Sequence, residues 1–418
     1  MRDMVTLAVV GAGNRGRQYA DLAVASGRAR VTAVADRLPE RRDAAARAYG
    51  IGPDGVFGDW ADLVARPRMA DAVIVATQDR QHVAPAVALA KAGYHILLEK
   101  PIAPTEPEAE EIVAAAENAG VMLAVCHVLR YTPLTRVVRD LVRSGRIGEL
   151  VGIEHLEPVG WWHFVHSYVR GNWRRSDLAT PMLLAKACHD VDWLQYVVGR
   201  PAVRVSSFGS LMHFRPDRAP AGATARCVDC PVQDTCPYAA TRIYRSFVGD
   251  PERERWPLSV IATEPTAEGV ERALREGPYG RCVYACDNDA IDHQVVSIEY
   301  EGGVTATLTV SAFTPHAHRK TRIMGTHGYL DTDGETVTVL DFGTGEQETV
   351  DVGAGSDASA ARGHGGGDDG LVDAFLAAVA ANDPDRISSG PAESLASHRT
   401  VWAAERARTE GVVVTLAP

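Results

Sequence analysis

The sequence lacks several features, and each absence excludes a class of protein. No run of about eighteen apolar residues occurs in the 418-residue chain, so we expect no segment that spans a membrane. Basic residues are too few for a nucleic acid or an anionic membrane as partner: 43 Lys and Arg stand against 54 Asp and Glu, and the net charge is -11. The sequence has no internal repeat, no low-complexity tract beyond one glycine run and no Ser-His-Asp nucleophile set.

The N-terminus carries no pattern of a secretory signal. Its first apolar run begins at Val5, is interrupted by Gly11 and is needed as a strand. We therefore expect a cytoplasmic protein. The length and the 46% hydrophobic content are sufficient for two domains with a large core.

Residues 1–36 have the pattern of a dinucleotide-binding βαβ unit. The apolar run at 6–10 suits a buried strand and leads into Gly-Ala-Gly-Asn-Arg-Gly at 11–16. A helical segment at 17–26 and a second apolar run at 31–35 follow in the order that the unit requires. The residues expected to contact the cofactor from this glycine turn are Gly11, Gly13, Asn14, Arg15 and Gly16.

Each glycine of the turn has a separate role in such a unit. Gly11 permits the tight turn, Gly13 lets the backbone approach a pyrophosphate, and Gly16 lets helix and strand pack closely. Asp36 ends the second strand, where a carboxylate accepts hydrogen bonds from the adenosine ribose hydroxyls. It would repel a 2′-phosphate, which favours NAD over NADP, although Arg37 could stack on adenine or contact that phosphate.

Strand and helix signals continue to alternate after Asp36, which predicts an α/β domain with a doubly wound parallel sheet. The ligand of such a sheet lies at the carboxyl ends of its strands. Pro101 excludes a helical conformation at the preceding lysine and so fixes the direction of its charged side chain. The residues expected to reach the cofactor from these strand ends are Thr77, Gln78, His82, Glu99 and Lys100. For His82, an equally good interpretation is a polar loop cap.

Five features together resemble the Gfo/Idh/MocA (glucose–fructose oxidoreductase / inositol dehydrogenase) family: the glycine turn, Thr77 with His82, Glu99-Lys100-Pro101, Arg130-Tyr131-Thr132-Pro133, and His189 with Asp192. The resemblance covers the chain outside an insertion at about 213–290. It implies a Rossmann domain at 1–126 and a C-terminal α/β domain at 127–418 with an open, mostly antiparallel sheet. It also implies bound NAD(P), sugar or cyclitol substrates, and a homo-oligomer, either a dimer or a tetramer.

The helix predicted at 181–198 carries the second group of candidate catalytic residues, Lys186 and His189, which would act with Lys100. Relatives that are simple dehydrogenases have an Asp four residues before the His, but Ala185 stands there in this chain. Cationic groups beside a nicotinamide disfavour one another's protonation, so one of the two lysines can act as base near neutral pH. The structural alternative for Lys186 is an i,i+4 ion pair with Asp190.

Aromatic and imidazole side chains crowd the segment 161–173, which suits stacking on a sugar ring and hydrogen bonding to its hydroxyls. A core or subunit-contact segment is the alternative. The glycine run at 363–369 predicts a flexible loop that either brings His364 to the substrate or is an exposed linker. The full set of expected substrate contacts is Arg130, Tyr131, His163, His166, Trp173, Asp190, His293 and His364.

Five of the seven cysteines lie between 227 and 286. In a reducing compartment such clustering indicates a metal before disulfides. C-x2-C-x5-C spacing plus one thiol from the second pair predicts a closed, structural zinc site with the ligands Cys227, Cys230, Cys236 and Cys282. An iron–sulfur cluster, a reduced metal-free loop, and Cys286 as the fourth ligand are the alternatives.

These patterns lead to one leading hypothesis and two others. The leading hypothesis is an NAD-dependent oxidoreductase that takes hydride from a secondary hydroxyl of a sugar, glycoside or cyclitol, with C3 of a pyranoside favoured. The second is a glycoside hydrolase in which bound NAD oxidises C3 transiently, so that the aglycone leaves by elimination. The third is a nucleotide sensor without catalysis.

Overall fold

The computed structural model describes residues 4–352 and 363–416, which form two β-sheets with helices packed on them. The first sheet is wholly parallel, in the order β3-β2-β1-β4-β5-β6. The order in which the chain adds strands reverses between β1 and β4, which opens a crevice at the carboxyl ends of these strands. The strands are β1 (Val5–Val10), β2 (Ala29–Ala35), β3 (Val56–Phe57), β4 (Ala72–Val75), β5 (His95–Leu98) and β6 (Leu123–Val125).

Helices connect the strands of this sheet: α1 (Asn14–Ala25), α2 (Pro39–Tyr49), α3 (Trp60–Val64), α4 (Val83–Lys91) and α5 (Glu106–Ala119). The start of α5 is fixed by a capping box between Thr105 and Glu108. Only β3 and α3 were not expected from the sequence, because two and five residues are too short to show a periodic pattern.

The second sheet is mixed, with nine strands in the order β14-β13-β12-β11-β7-β10-β9-β8-β15. Only β7 and β10 pair in parallel among these strands. The first five are β7 (Leu150–Pro158), β8 (Ala202–Ser210), β9 (His293–Tyr300), β10 (Thr305–Ser311) and β11 (Lys320–Gly325). The others are β12 (Gly328–Thr332), β13 (Thr336–Asp341), β14 (Gln347–Asp351) and β15 (Val414–Thr415). The two sheets confirm the predicted fold class.

One face of the second sheet packs on helices, and the other is open. On the open face Phe208 lies opposite Val295, and Phe208 is 74% exposed. Such a face is compatible with contact between copies of the chain, and the homo-oligomer stays a prediction. Among the described residues no helix is long and apolar enough to cross a membrane.

The helices after the first sheet are of two kinds, four long ones and several short ones. The long ones are α6 (Pro133–Arg143), α8 (Met182–Val198), α13 (Gly363–Ala381) and α14 (Pro391–Glu410). The short ones are α7 (Trp161–Phe164), α9 (Ala240–Arg245), α10 (Pro251–Arg253), α11 (Ser259–Ile261) and α12 (Ala267–Glu276). A π-helical turn, Val165–Arg170, continues α7. Helices α9 to α12 lie within the insertion, which separates the paired strands β8 and β9.

The glycine run forms the start of α13 rather than the flexible loop that we predicted over 363–369. Three residues, His364, Gly365 and Gly366, have left-handed backbone angles, and the helix proper follows them. A Cβ on Gly367 would lie 2.4 Å from the carbonyl oxygen of Val128, so this glycine permits close packing. Glycine here serves a tight approach between backbones.

Helix α13 belongs to the core of the first sheet, although it comes late in the sequence. Leu371, Val372, Phe375 and Leu376 pack in one cluster with side chains of β1, β2 and α1. Helix α14 reaches the core on the other face of that sheet through Leu395. The domain boundary predicted at 126/127 therefore separates the two sheets. It does not separate their cores, because helices from the second part of the chain complete the core of the first sheet.

Candidate active site

The glycine turn between β1 and α1 fits a dinucleotide. Gly11 has φ +91°, and a Cβ there would lie 2.5 Å from the carbonyl oxygen of Ala76. A Cβ on Gly16 would lie 2.0 Å from the carbonyl oxygen of Gly11, so both positions require glycine. Neither a capping side chain nor an acidic residue occupies the first turn of α1. Its backbone N–H groups are therefore suited to hold the pyrophosphate of NAD.

Asp36 lies at the end of β2, where the adenosine ribose is expected. Its carboxylate accepts hydrogen bonds from the backbone N–H groups of Ala12 (2.8 Å) and Leu38 (2.9 Å). These bonds fix the carboxylate beside the glycine turn. Arg37 is exposed and forms an ion pair with Asp59 at 3.6 Å.

We expect Asp36→Ala to weaken NAD binding by about 10- to 100-fold, since the ribose hydroxyls would lose a charged acceptor. NADP binding should fall little, because the repulsion of its 2′-phosphate is removed as well. Fluorescence titration with both cofactors measures the ratio, with Arg37→Ala as control. An equal loss for the two cofactors would show that Asp36 does not read the ribose.

Arg15 points from the glycine turn toward residues far along the chain. Its guanidinium contacts Glu99 at 2.8 Å and Asp368 of α13 at 2.7 Å. Glu99 also accepts hydrogen bonds from Tyr19 (3.0 Å) and from the backbone N–H of Lys100 (2.7 Å). Arg15 and Glu99 thus connect the turn to the segment after β5 that carries Lys100, and both side chains are held by contacts within the protein. Asn14 and Gly13 remain at the start of α1.

The loop after β4 brings Thr77 and Gln78 to the same sheet edge. His82 lies behind it, fully buried. Its two ring nitrogens lie 2.8 Å from the carbonyl oxygen of Pro101 and 3.1 Å from that of Thr77. His82 therefore joins two loops of the cofactor crevice, which matches the interpretation as a loop cap.

Lys100 follows β5 and reaches across to α8. Its Nζ donates a hydrogen bond to the main-chain carbonyl of Ala185 at 2.7 Å. His189 lies one turn further along that helix. Burial lowers the pKa of His189 well below its ordinary value, and the charge of Lys100 lowers it further. The amine and a neutral imidazole therefore lie together at the carboxyl edge of the first sheet.

Other imidazoles surround His189. The rings of His127 and His364 are each centred 5.9 Å from it. Burial lowers the pKa of His127 to about 4. His364 lies 3.2 Å from Asp368, which links the imidazoles to the Arg15 ion pair. His364, whose left-handed backbone begins α13, thus faces the candidate site.

A network of charges continues the site along α8. Lys186 contacts Glu157 of β7 at 3.0 Å rather than Asp190, so the i,i+4 pair that we considered is not what the structure contains. Arg319 lies between Glu157 (2.9 Å) and Asp190, which His155 also contacts at 3.0 Å. Burial raises the pKa of Asp190, but Arg319 and His155 together outweigh burial, and the pKa falls well below its usual range.

Arg130 and Tyr131, two of the expected substrate contacts, are buried and bonded within the protein. The Arg130 guanidinium forms a two-pronged ion pair with Asp192, with both nitrogen–oxygen distances at 2.7 Å. Tyr131 bonds to Ser389 at 2.8 Å. The structure thus places both residues behind the site, where they join the first sheet to α8 and to the segment before α14.

The remaining candidate substrate residues fall in different places. His163 is close enough to Lys186 for that charge to lower its pKa further, after burial has already lowered it well below the usual value. His166 instead faces the insertion and bonds to Tyr244 at 2.9 Å. Trp173 donates to Asp79 at 3.2 Å. His293 lies on β9 and contacts the adjacent Asp292 at 2.9 Å.

Four thiols of the insertion line one small pocket: Cys227, Cys230, Cys236 and Cys282. Burial raises the pKa of Cys236 and Cys282. Within residues 4–352 and 363–416, no group of three or more His, Cys, Asp or Glu side chains is arranged to hold a metal ion. The structural zinc stays a prediction.

Several residues of the site were not predicted from the sequence. Glu157 lies on β7 and Arg319 directly precedes β11, and the alternating pattern of these strands gives no indication of a role in the site. Asp368 lies in the glycine run. The only local signal for Glu157 is an acidic residue at a position of the strand that faces the cleft. Long-range ion pairs such as Arg319 with Asp190 have no signature in a single sequence.

A parallel sheet with a dinucleotide-binding turn, covered at its ligand edge by a second domain, defines a two-domain nucleotide-binding protein of the oxidoreductase type. Comparison with protein families gives the same class. The Gfo/Idh/MocA oxidoreductase family with an NAD-binding Rossmann fold matches residues 5–127, and its C-terminal alpha/beta domain matches residues 139–416. The chain belongs to this family, which confirms the resemblance found in the sequence.

Individual relatives are more distant. The 1,5-anhydro-D-fructose reductase of Ensifer adhaerens is 32% identical over 46% of this chain and 55% of that protein. The levoglucosan dehydrogenase of Pseudarthrobacter phenanthrenivorans is 27% identical over 40% of this chain and 42% of that protein. The chain therefore spans about half the length of these two curated relatives.

A similar solved structure is an oxidoreductase from Agrobacterium radiobacter in complex with NAD+, L-tartaric acid and magnesium. Its TM-score is 0.71 at 17% identity, with 98% of each chain covered. At this identity the likeness shows the shared fold alone.

Proposed function

We propose that the chain is an NAD-dependent oxidoreductase that takes hydride from a secondary hydroxyl of a sugar, glycoside or cyclitol, with C3 of a pyranoside as the favoured position. One observation carries the proposal: the Lys100 amine lies at the carboxyl edge of the first sheet, on the face of α8 that bears His189. An amine and a neutral imidazole in that place suit proton removal from a hydroxyl beside the nicotinamide.

The cofactor supplies the hydride acceptor, nicotinamide C4. The chain supplies alignment and proton transfer. Lys100 is oriented by the Ala185 carbonyl, and in its neutral form it takes the hydroxyl proton. His189 has an Nδ1 without a hydrogen-bond partner among the described residues, so that atom remains for a substrate hydroxyl.

The surroundings of this pair support a polar ring substrate. Lys186, Glu157 and Arg319 offer both donors and acceptors for hydroxyl groups. The aromatic ring of Trp256 lies 4.9 Å from the ring of His163 and packs on the buried Trp162, so Trp256 is the ring that would contact the apolar face of a sugar. The names of the two curated relatives, a reductase and a dehydrogenase of anhydro sugars, agree with this substrate class.

The alanine at position 185 favours a second candidate function, a redox-assisted glycoside hydrolase. Without a carboxylate at this position Lys100 is held by a neutral carbonyl, and the nearby imidazoles can accept the C2 proton. In such an enzyme water would add to the unsaturated keto sugar that elimination leaves, and the hydride would then return to C3. Bound NAD would then act without net consumption.

We expect a nitrophenyl glycoside panel with added NAD to give NADH and a keto sugar in equal amounts. Absorbance at the NADH and nitrophenol bands, together with product mass, measures both reactions in one sample. Nitrophenol release without NADH accumulation would favour the hydrolase. Neither signal with any glycoside or cyclitol would count against both.

A further inference from the structure

Four cysteines that are distant in sequence meet outside the active site. Cys227, Cys230 and Cys236 come from one segment, and Cys282 comes from the segment after α12. The two segments are joined by a β-bridge between Arg226 and Arg281 and by a hydrogen bond from Cys282 N–H to the Ala225 carbonyl at 2.9 Å. The backbone thus brings the fourth thiol into the pocket of the other three.

Arg170 provides a second, independent observation. Its side chain is almost fully buried, with an exposure of 1%. It donates to the carbonyl oxygens of Arg281 (2.7 Å) and Tyr238 (2.8 Å), and its Nη2 lies 3.7 Å from the sulfur of Cys227. Nη1 has no partner, and no carboxylate pairs with this guanidinium among the described residues.

A buried cation without a counter-ion is costly. The groups near Arg170 that can become anionic are thiols and the Tyr244 hydroxyl. A tyrosine hydroxyl gives up its proton less readily than a thiol, so negative charge at this site would come from the thiols. Binding of a divalent ion removes these protons, because thiolates are the ligands. One divalent ion with four thiolates has a net charge of -2, which would compensate the Arg170 charge.

We propose that Cys227, Cys230, Cys236 and Cys282 bind one structural zinc ion, and that the resulting anionic site is the counter-ion of Arg170. Four sulfur ligands leave no open position, so the ion has no catalytic role. Each thiol would lose its proton when the ion binds and would turn toward the pocket. For Cys227 this means giving up its present interaction with the Arg281 carbonyl, at 3.7 Å. The inference does not depend on the proposed function.

Cys286 is excluded from the ligand set. Its sulfur donates to the Cys282 carbonyl at 3.3 Å, and it does not line the pocket of the other four.

Through Arg170, a bound zinc ion would also stabilise the segment that carries His163. Arg170 ends the π-helical turn that continues α7, and α7 carries His163.

The test is the metal content of the 418-residue chain purified from zinc-supplemented cells and dialysed against EDTA, measured by mass spectrometry. We expect about one zinc per chain, released when a mercurial blocks the thiols. Cys282→Ser should lose the zinc, and the matched control Cys286→Ser should keep it. If Cys282→Ser does not fold, the wild-type zinc content and its release by mercurial still decide the question.

Four results would overturn the proposal. They are a wild-type protein that takes up no zinc even after reduction, zinc retained in folded Cys282→Ser, zinc lost from Cys286→Ser, and iron with the visible absorbance of a cluster in place of zinc.

Discussion

Lys100→Met is expected to lower kcat by about 10³-fold, in the range that a positioned proton-transfer group contributes. Methionine retains the length of the side chain but cannot accept a proton from a hydroxyl. It also removes the hydrogen bond to the Ala185 carbonyl, which holds the amine beside His189. Steady-state kinetics with the best substrate of the glycoside panel, with NADH formation as readout, measures the effect.

Two further variants make this result specific. Lys91→Met changes an exposed lysine at the end of α4 and should leave kcat unchanged. Lys186→Met should reduce kcat less than Lys100→Met, because Lys186 is paired with Glu157. NAD binding is measured separately by titration and should stay within about threefold of wild type, since Lys100 is placed at the reacting end of the cofactor. Hydroxyl oxidation by Lys100→Met at the wild-type rate would show that this lysine is not part of the mechanism. A nucleotide sensor would oxidise no hydroxyl in either form, so the substitution would remove no activity.

Asp192→Ala is expected to destabilise the folded protein by about 3–5 kcal/mol, which is typical when one partner of a buried ion pair is removed. Asp192 is fully buried and holds Arg130 through two hydrogen bonds, and Ser397 of α14 donates to it at 3.0 Å. The substitution would leave the Arg130 charge inside the protein without a counter-ion. Thermal unfolding followed by circular dichroism would show the lower midpoint.

The matched control for this change is Asp177→Ala. Asp177 also pairs with an arginine, Arg175, but both side chains are exposed, and such pairs contribute little to stability. Similar midpoints for the two variants would mean that the buried pair is not a main support of the domain junction. The double variant Arg130→Met with Asp192→Leu should recover part of the loss, since no unpaired charge remains.

The first domain could be predicted from the sequence because its signals are local. A glycine turn, short apolar runs and terminal polar residues specify a parallel sheet and the edge where its ligand binds. The positions of Lys100 and Asp36 followed from that edge rule. The long-range partners of the turn did not follow from it. Arg15 was expected at the cofactor, but its guanidinium pairs with Glu99 and Asp368.

The second half of the site shows where such reasoning ends. Arg130 was expected at the substrate because it follows a strand of the first sheet, but a 3-10 turn directs its side chain to Asp192. His163 and His166 are three residues apart, and the π-helical turn sends them to different surroundings. Their separation depends on the backbone geometry of one turn, which residue types do not encode.

The late position of α13 has a consequence for biosynthesis. Its residues Leu371, Phe375 and Leu376 complete the core around β1, which is translated well before them. A nascent chain that has emerged only as far as β6 would expose the apolar surface that these side chains later cover. The first sheet therefore cannot complete its packing until α13 has been translated, although all six of its strands precede that helix by more than 200 residues.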